Sequence, residues 1–141
     1  MRNAKGRGKA GQACRAVAGL ARHAGVAVGL AALIAPAAAW ADAKAGAAVF
    51  SRKCAECHSV RRGVIVTGPS LAGLFGRKAG TVKDFPYSPA VGASAIVWGA
   101  DTLDTFIARP QKTIRGITMT SPGIADAAQR SDLIAYLATL K

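Results

Sequence analysis

A small all-α domain, a few helices joined by long loops, is what this sequence predicts, and three observations lead there. The chain has 141 residues, 51% of them hydrophobic, enough for one buried core and too few for two. Toward the C-terminus Leu133, Tyr136, Leu137 and Leu140 recur at steps of three and four, the period of a helix with one apolar face. The 16 Gly and 6 Pro punctuate the stretches between helical segments and mark the loops. Two Trp, two Tyr and four Phe make a thin aromatic content, yet the composition is neither that of a disordered chain nor, with three Cys, that of a disulfide scaffold.

The first element is an address. Arg2, Lys5, Arg7, Lys9, Arg15 and Arg22 form a basic segment without an acidic residue, and residues 24–39 then carry no charge. The uncharged run is short for a bilayer span, contains Pro36, and ends in Ala39-Trp40-Ala41, whose small residues suit a signal peptidase cutting before Asp42. Residues 1–41 are therefore predicted to be a Sec-type signal peptide, with an uncleaved anchor helix as the alternative, and residues 42–141 the mature domain. No twin-Arg pair precedes the apolar run. Cleavage removes those basic residues and so halves the formal net charge of +12. The remainder is modest and interspersed with acids, so nucleic acid is not an expected partner.

Helices are expected over residues 43–55, 88–93, 102–108 and 126–140. In the last, Asp126 supplies an acidic N-terminus and Lys141 a cation at the negative end of the dipole.

Cleavage also takes Cys14 and His23, leaving Cys54, Cys57 and His58 as the remaining cysteines and histidine. They lie together in Cys54-Ala55-Glu56-Cys57-His58, the C-x-x-C-H pattern in which two thiols add across the vinyl groups of haem and the adjacent imidazole ligates its iron. A structural zinc site needs four ligands, and no further Cys or His follows. A thioredoxin-like redox pair wants a strand in a parallel framework before the motif, where this sequence reads as helix. Met119 is the sole methionine after Met1, so the sixth position on the iron falls to Met119 or to no strong protein ligand of the usual kind, with lysine a rare substitute. The other reading of Met119 is a gap-filler in the core.

These residues resemble class I cytochrome c, in particular the bacterial cytochromes c2 and the mitochondrial-like cytochromes c, across nearly all of residues 42–141. Besides the haem-attachment motif, the similarity includes Thr67-Gly68-Pro69-Ser70-Leu71, Gly73-Leu74-Phe75-Gly76-Arg77-Lys78-Ala79-Gly80, Phe85-Pro86-Tyr87-Ser88, Trp98 and Arg130-Ser131-Asp132-Leu133-Ile134-Ala135-Tyr136-Leu137. The resemblance implies the small cytochrome c fold, helices wrapped around one covalently attached haem c. It implies that the Pro69 carbonyl accepts the Nδ1–H of His58. Tyr87 and Trp98 would direct their O–H and N–H groups at a buried propionate, with Arg77 nearby to balance its charge. Gly46 and Phe50 on the first helix would meet Leu133 and Tyr136 on the last, the missing side chain of Gly46 allowing a close crossing.

The implied function is a periplasmic one-electron carrier, not an enzyme and without catalytic residues. It would be a monomer shuttling between a quinol:cytochrome c oxidoreductase and a terminal oxidase or photosynthetic reaction centre, with no permanent membrane insertion. A peroxidase-like or gas-binding haem protein is the competing enzyme reading, but no second His is present to serve as distal acid or base. A subunit docked permanently in a respiratory complex is a third.

Several positions depart from the family pattern. Ile117 replaces a Thr that commonly bonds a propionate, Phe106 a Tyr that reaches the ligating sulfur, and Val91 a frequent Asn, which predicts a drier pocket. Gln111, Thr118 and Ala125 stand where lysines ring the haem edge in related chains, leaving Lys53, Arg61, Arg62, Lys112 and Arg115 as a thinner positive collar. The loop over residues 59–67 is one residue shorter than in mitochondrial members and apolar at Val64-Ile65-Val66.

Overall fold

The computed structural model describes residues 41–141, so the predicted signal segment lies outside the described residues except for its last position, Ala41. Five helices follow among these residues: α1 (Ala43–Lys53), α2 (Pro89–Gly92), α3 (Ala100–Ala108), α4 (Pro110–Thr113) and α5 (Ala127–Ala138). Among the described residues no strand forms, and an isolated bridge pairs Lys78 with Val97. The rest is loop, as an all-α reading requires.

Local chemistry sets the helix ends. The Asp42 carboxylate caps α1 by accepting from the Lys44 N–H at 2.8 Å. α1 stops at Lys53, two residues before the expected end, because Cys54 turns the chain out of the helix with φ −128° and ψ −33°. Ser88 caps α2, where Pro89 occupies the first helical turn. α3 begins two residues earlier than expected, since the Thr102 hydroxyl reaches back to accept from the Gly99 N–H at 2.8 Å and fixes the first turn there. The short α4 was not expected; it starts at Pro110 directly after α3 ends, and four residues carry too little periodicity to read. At α5, Asp126 is the cap and not the first helical residue, accepting from the N–H groups of Ala128 and Gln129 at 2.8 and 3.1 Å. Those donors, the Gln129 N–H foremost, hold its carboxyl below the usual carboxylate range.

The tertiary frame is the crossing of α1 and α5. Phe50 and Tyr136 bring their rings to 5.6 Å at 49°, and Leu133 beside them is 1% exposed. Gly46 sits at the crossing point, where a Cβ would collide with the Asp132 backbone carbonyl and come within 2.8 Å of the Tyr136 Cβ. The Asp42 N–H donates to the Asp132 carboxylate at 2.8 Å, tying the start of α1 to the same stretch of α5. Arg130 joins α5 to α3 through an ion pair with Asp104 at 2.7 Å, and also donates to the carbonyls of Ile124 and Ala125.

Apolar burial divides into two clusters. One gathers Val49, Phe50, Leu74, Leu103, Ile124, Leu133 and Leu137; the other gathers Ala79, Val91 and Ile114. Trp98 packs against both.

Replacing Gly46 with Ala is expected to push α1 off α5 and lower stability by about 1–3 kcal/mol, the usual cost of forcing extra volume into a packed contact. Denaturant unfolding would show this as a lower midpoint at unchanged slope. A variant as stable as the parent would mean that the close crossing carries no weight.

Candidate cofactor site

The segment after α1 is a tight turn. The Cys57 and His58 N–H groups both donate to the Cys54 carbonyl, at 3.1 and 2.9 Å, so the two cysteines stand at the ends of one turn and not on the helix itself. Both are half-buried, and they form no disulfide with each other. Burial, with the neighbouring Cys57 adding to it, pushes the Cys54 thiol up to about 11. A reactive redox pair requires the opposite shift, so the local environment does not favour thiolate chemistry.

His58 leaves this turn toward residues 67–69. The Gly68 N–H donates to the Cys57 carbonyl at 2.7 Å, folding that loop over the imidazole. The His58 Nδ1 then lies 2.8 Å from the Pro69 carbonyl oxygen. A carbonyl can only accept, which puts the proton on Nδ1 and leaves the Nε2 lone pair for a metal. Gly68 is required by proximity: a Cβ there would stand 2.7 Å from the ring Nδ1 and 3.0 Å from Nε2. Sequence reading identified Pro69 and passed over this role of Gly68, since only the tertiary contact shows it.

A cavity of about 590 Å³ opens beside the imidazole, and Cys54, Cys57, His58, Pro69, Arg77, Tyr87, Trp98 and Met119 all line it. The eight positions singled out from the sequence are thus brought to one place. Leu74, Leu103, Leu133 and Leu137 form its walls from the first cluster and Val91 and Ile114 from the second, so both apolar clusters face this space. Ile117, Phe106 and Val91, the departures that predict a drier pocket, all line it as well. Phe106 rests its ring on Trp98 at 4.9 Å and 59°, filling with hydrocarbon a place where a hydroxyl was possible.

Arg77, at the cavity, also makes contacts that no sequence signal indicated. Its guanidinium donates to the carbonyls of Ala72 and Ser70 at 2.7 and 2.8 Å, bracing the loop between His58 and α2. Burial lowers its pKa, partly offset by Tyr87, but a guanidinium starts so high that it stays charged at neutral pH. The Tyr87 phenol is pushed up by burial against the opposing influence of a Val82 backbone hydrogen bond and of Arg77, and remains a neutral donor.

Met119 lies on the loop between α4 and α5. Its carbonyl accepts from the Gln111 side-chain amide at 2.9 Å, a contact no sequence signal indicated. Of the expected positive collar only Lys53 reaches the cavity rim; Arg52 joins it, and Glu56 sets a negative charge beside them. Ile65 and Val66 are 38% and 50% exposed, next to the lining residue Thr67.

The volume falls within the roughly 300–1,000 Å³ of pockets for cofactor-sized groups. Two thiols on one turn, an imidazole with a free Nε2, a thioether and apolar walls fit a porphyrin held through its edge and its metal.

Comparison with known proteins agrees. A family model described as cytochrome c matches residues 43–141. A cytochrome c of Guizotia abyssinica is 44% identical over 97 residues, covering 68% of this chain and 87% of that protein. One of Euglena viridis is 42% identical over 100 residues, covering 71% and 98%. The solved structure of cytochrome cH from Methylobacterium extorquens superposes with a TM-score of 0.65 at 36% identity, covering 70% of this chain and 98% of that one. The family's members are electron carriers holding one covalent c-type haem. With its attachment turn at Cys54-Ala55-Glu56-Cys57-His58 and a helical frame of matching fold, this chain belongs to the cytochrome c family.

Proposed function

We propose that the protein is a periplasmic one-electron carrier in which Cys54 and Cys57 fix the haem and His58 and Met119 supply its two axial ligands. One observation carries this reading: a single cavity gathers both thiols, an imidazole whose proton is held on Nδ1, and the only methionine of the described residues. Bound haem supplies a ferric–ferrous couple whose potential a Met/His ligand pair raises.

The residues do the rest. Pro69 fixes the plane of the His58 ring and, by accepting a hydrogen bond from its Nδ1–H, makes the imidazole a better electron donor. Leucines on α3 and α5 exclude water, which keeps the charge change of electron transfer from reorganising solvent. The retained charge of Arg77 and the neutral Tyr87 phenol offer an acidic substituent of the group a counter-charge and a donor.

Export is part of the proposal. The basic and uncharged stretches of residues 1–39 and the Ala39-Trp40-Ala41 junction support it. Cleavage before Asp42 would convert the backbone N–H that meets the Asp132 carboxylate into an ammonium group, adding charge to a contact between α1 and α5. Among the described residues no helix is long and apolar enough to cross a membrane. A quinol:cytochrome c oxidoreductase is proposed as donor and a terminal oxidase or reaction centre as acceptor, approached by the rim that carries Arg52 and Lys53.

Three measurements test this. The oxidised protein is expected to show the weak band at the red edge of the visible spectrum that reports sulfur on iron, and Met119→Ala should abolish it and let carbon monoxide bind the ferrous form. A parent protein that binds carbon monoxide readily would refute the ligand assignment. N-terminal sequencing of the exported protein should begin at Asp42; a start at Met1 would mean the segment is retained. Turnover with an acidic redox partner should fall as ionic strength rises from about 0.01 to 0.15 M, where the screening length drops from about 30 to 8 Å. A rate insensitive to salt would remove electrostatic steering from the account.

A further inference from the structure

Residues 118–122 form a wall of the cavity but belong to no helix. The neighbouring backbone bonds lie just outside them, from the Ile117 N–H to the Ile114 carbonyl and from the Ile124 N–H to the Ile107 carbonyl. Among the described residues, the hydrogen bonds that reach into the segment from another element come from one side chain. The Gln111 Nε2 lies 2.9 Å from the Met119 carbonyl and 2.8 Å from the Ser121 carbonyl, so its two N–H groups straddle Thr120.

Gln111 itself is firmly placed. It is the second residue of α4, following Pro110, which is almost wholly buried. Thr113 on the same turn has its hydroxyl within 3.1 Å of the Thr105 carbonyl and 3.0 Å of the Arg109 carbonyl, binding α4 to α3. Ile114 next to it belongs to the second apolar cluster. The amide is thus a fixed bracket reaching from the helical frame to a segment that lacks backbone bonding of its own.

We propose that Gln111 is a positioning residue for the electron-carrier site: its amide holds the backbone of the Met119 segment in place and thereby sets how readily Met119 gives way to a ligand from solution. The proposal rests on the reading of Met119 as an axial ligand. A thioether is a weak ligand held mainly by the chain that presents it, so the opening equilibrium of that chain enters directly into the affinity for any competitor.

The test uses the intact ferric haem protein and imidazole as the competing ligand. Gln111→Glu keeps the shape of the side chain but replaces both donors with an oxygen facing two carbonyl oxygens, and should raise imidazole affinity about tenfold, the scale of two lost, solvent-accessible hydrogen bonds. Gln111→Lys restores donors at similar reach and should return affinity to near the parent value. The midpoint of global unfolding, followed by far-ultraviolet circular dichroism, should move little in either variant, which a general loss of structure would not allow. If the parent shows the sulfur–iron band and Gln111→Glu binds imidazole no more tightly, Gln111 does not hold the segment and the proposal falls alone. If the parent lacks that band, Met119 is not a ligand and both the proposal and the reading beneath it fall.

Discussion

An apolar space of about 590 Å³ within one small domain is a severe constraint on a chain of 141 residues. At roughly 25 cal/mol per Å² of apolar surface removed from water, a large apolar group seated against these walls adds substantially to the stability of so small a domain. The side chains that would ordinarily interdigitate, Leu74, Leu103, Leu133, Leu137, Val91 and Ile114, instead line the space. The walls of the cavity and the core of the domain are therefore largely the same side chains.

The same constraint explains why the attachment turn is so closely tied to the loop that follows it. Cys54 to His58 is built on carbonyls and N–H groups within its own turn, and Gly68 and Pro69 clasp the imidazole from the other side. Little of this depends on distant helices. The opposite wall, residues 117–124, is anchored to α3 and α4 at its ends and by Gln111 between them. One wall is thus held by short-range contacts and the other by a few long-range ones.

The frame beneath both walls is the α1–α5 crossing, fixed by Gly46, the Phe50–Tyr136 pair and the contact of Asp42 with Asp132. It joins the beginning and the end of the domain, so neither helix reaches its full burial until the chain between them has closed. Polar groups do not compromise the interior: no buried side-chain nitrogen or oxygen among the described residues lacks a partner.

Covalent neighbourhood made much of this legible from sequence. The spacing of Cys54, Cys57 and His58, the single Met119, the period of α5 and the acidic residue Asp126 at its start are local properties that survive without a fold. The family pattern extended the reading to Pro69, Arg77, Tyr87 and Trp98, all of which meet at the cavity. Contacts between parts of the chain with no local signature were decided only by the tertiary structure. Gly68 against the His58 ring, Arg77 on two loop carbonyls, Arg52 rather than Arg61 or Arg62 at the rim, and Gln111 on the Met119 segment are of this kind. A glycine or a glutamine looks alike in any loop, and its role depends on which backbone comes within about 3 Å of it once the chain has closed.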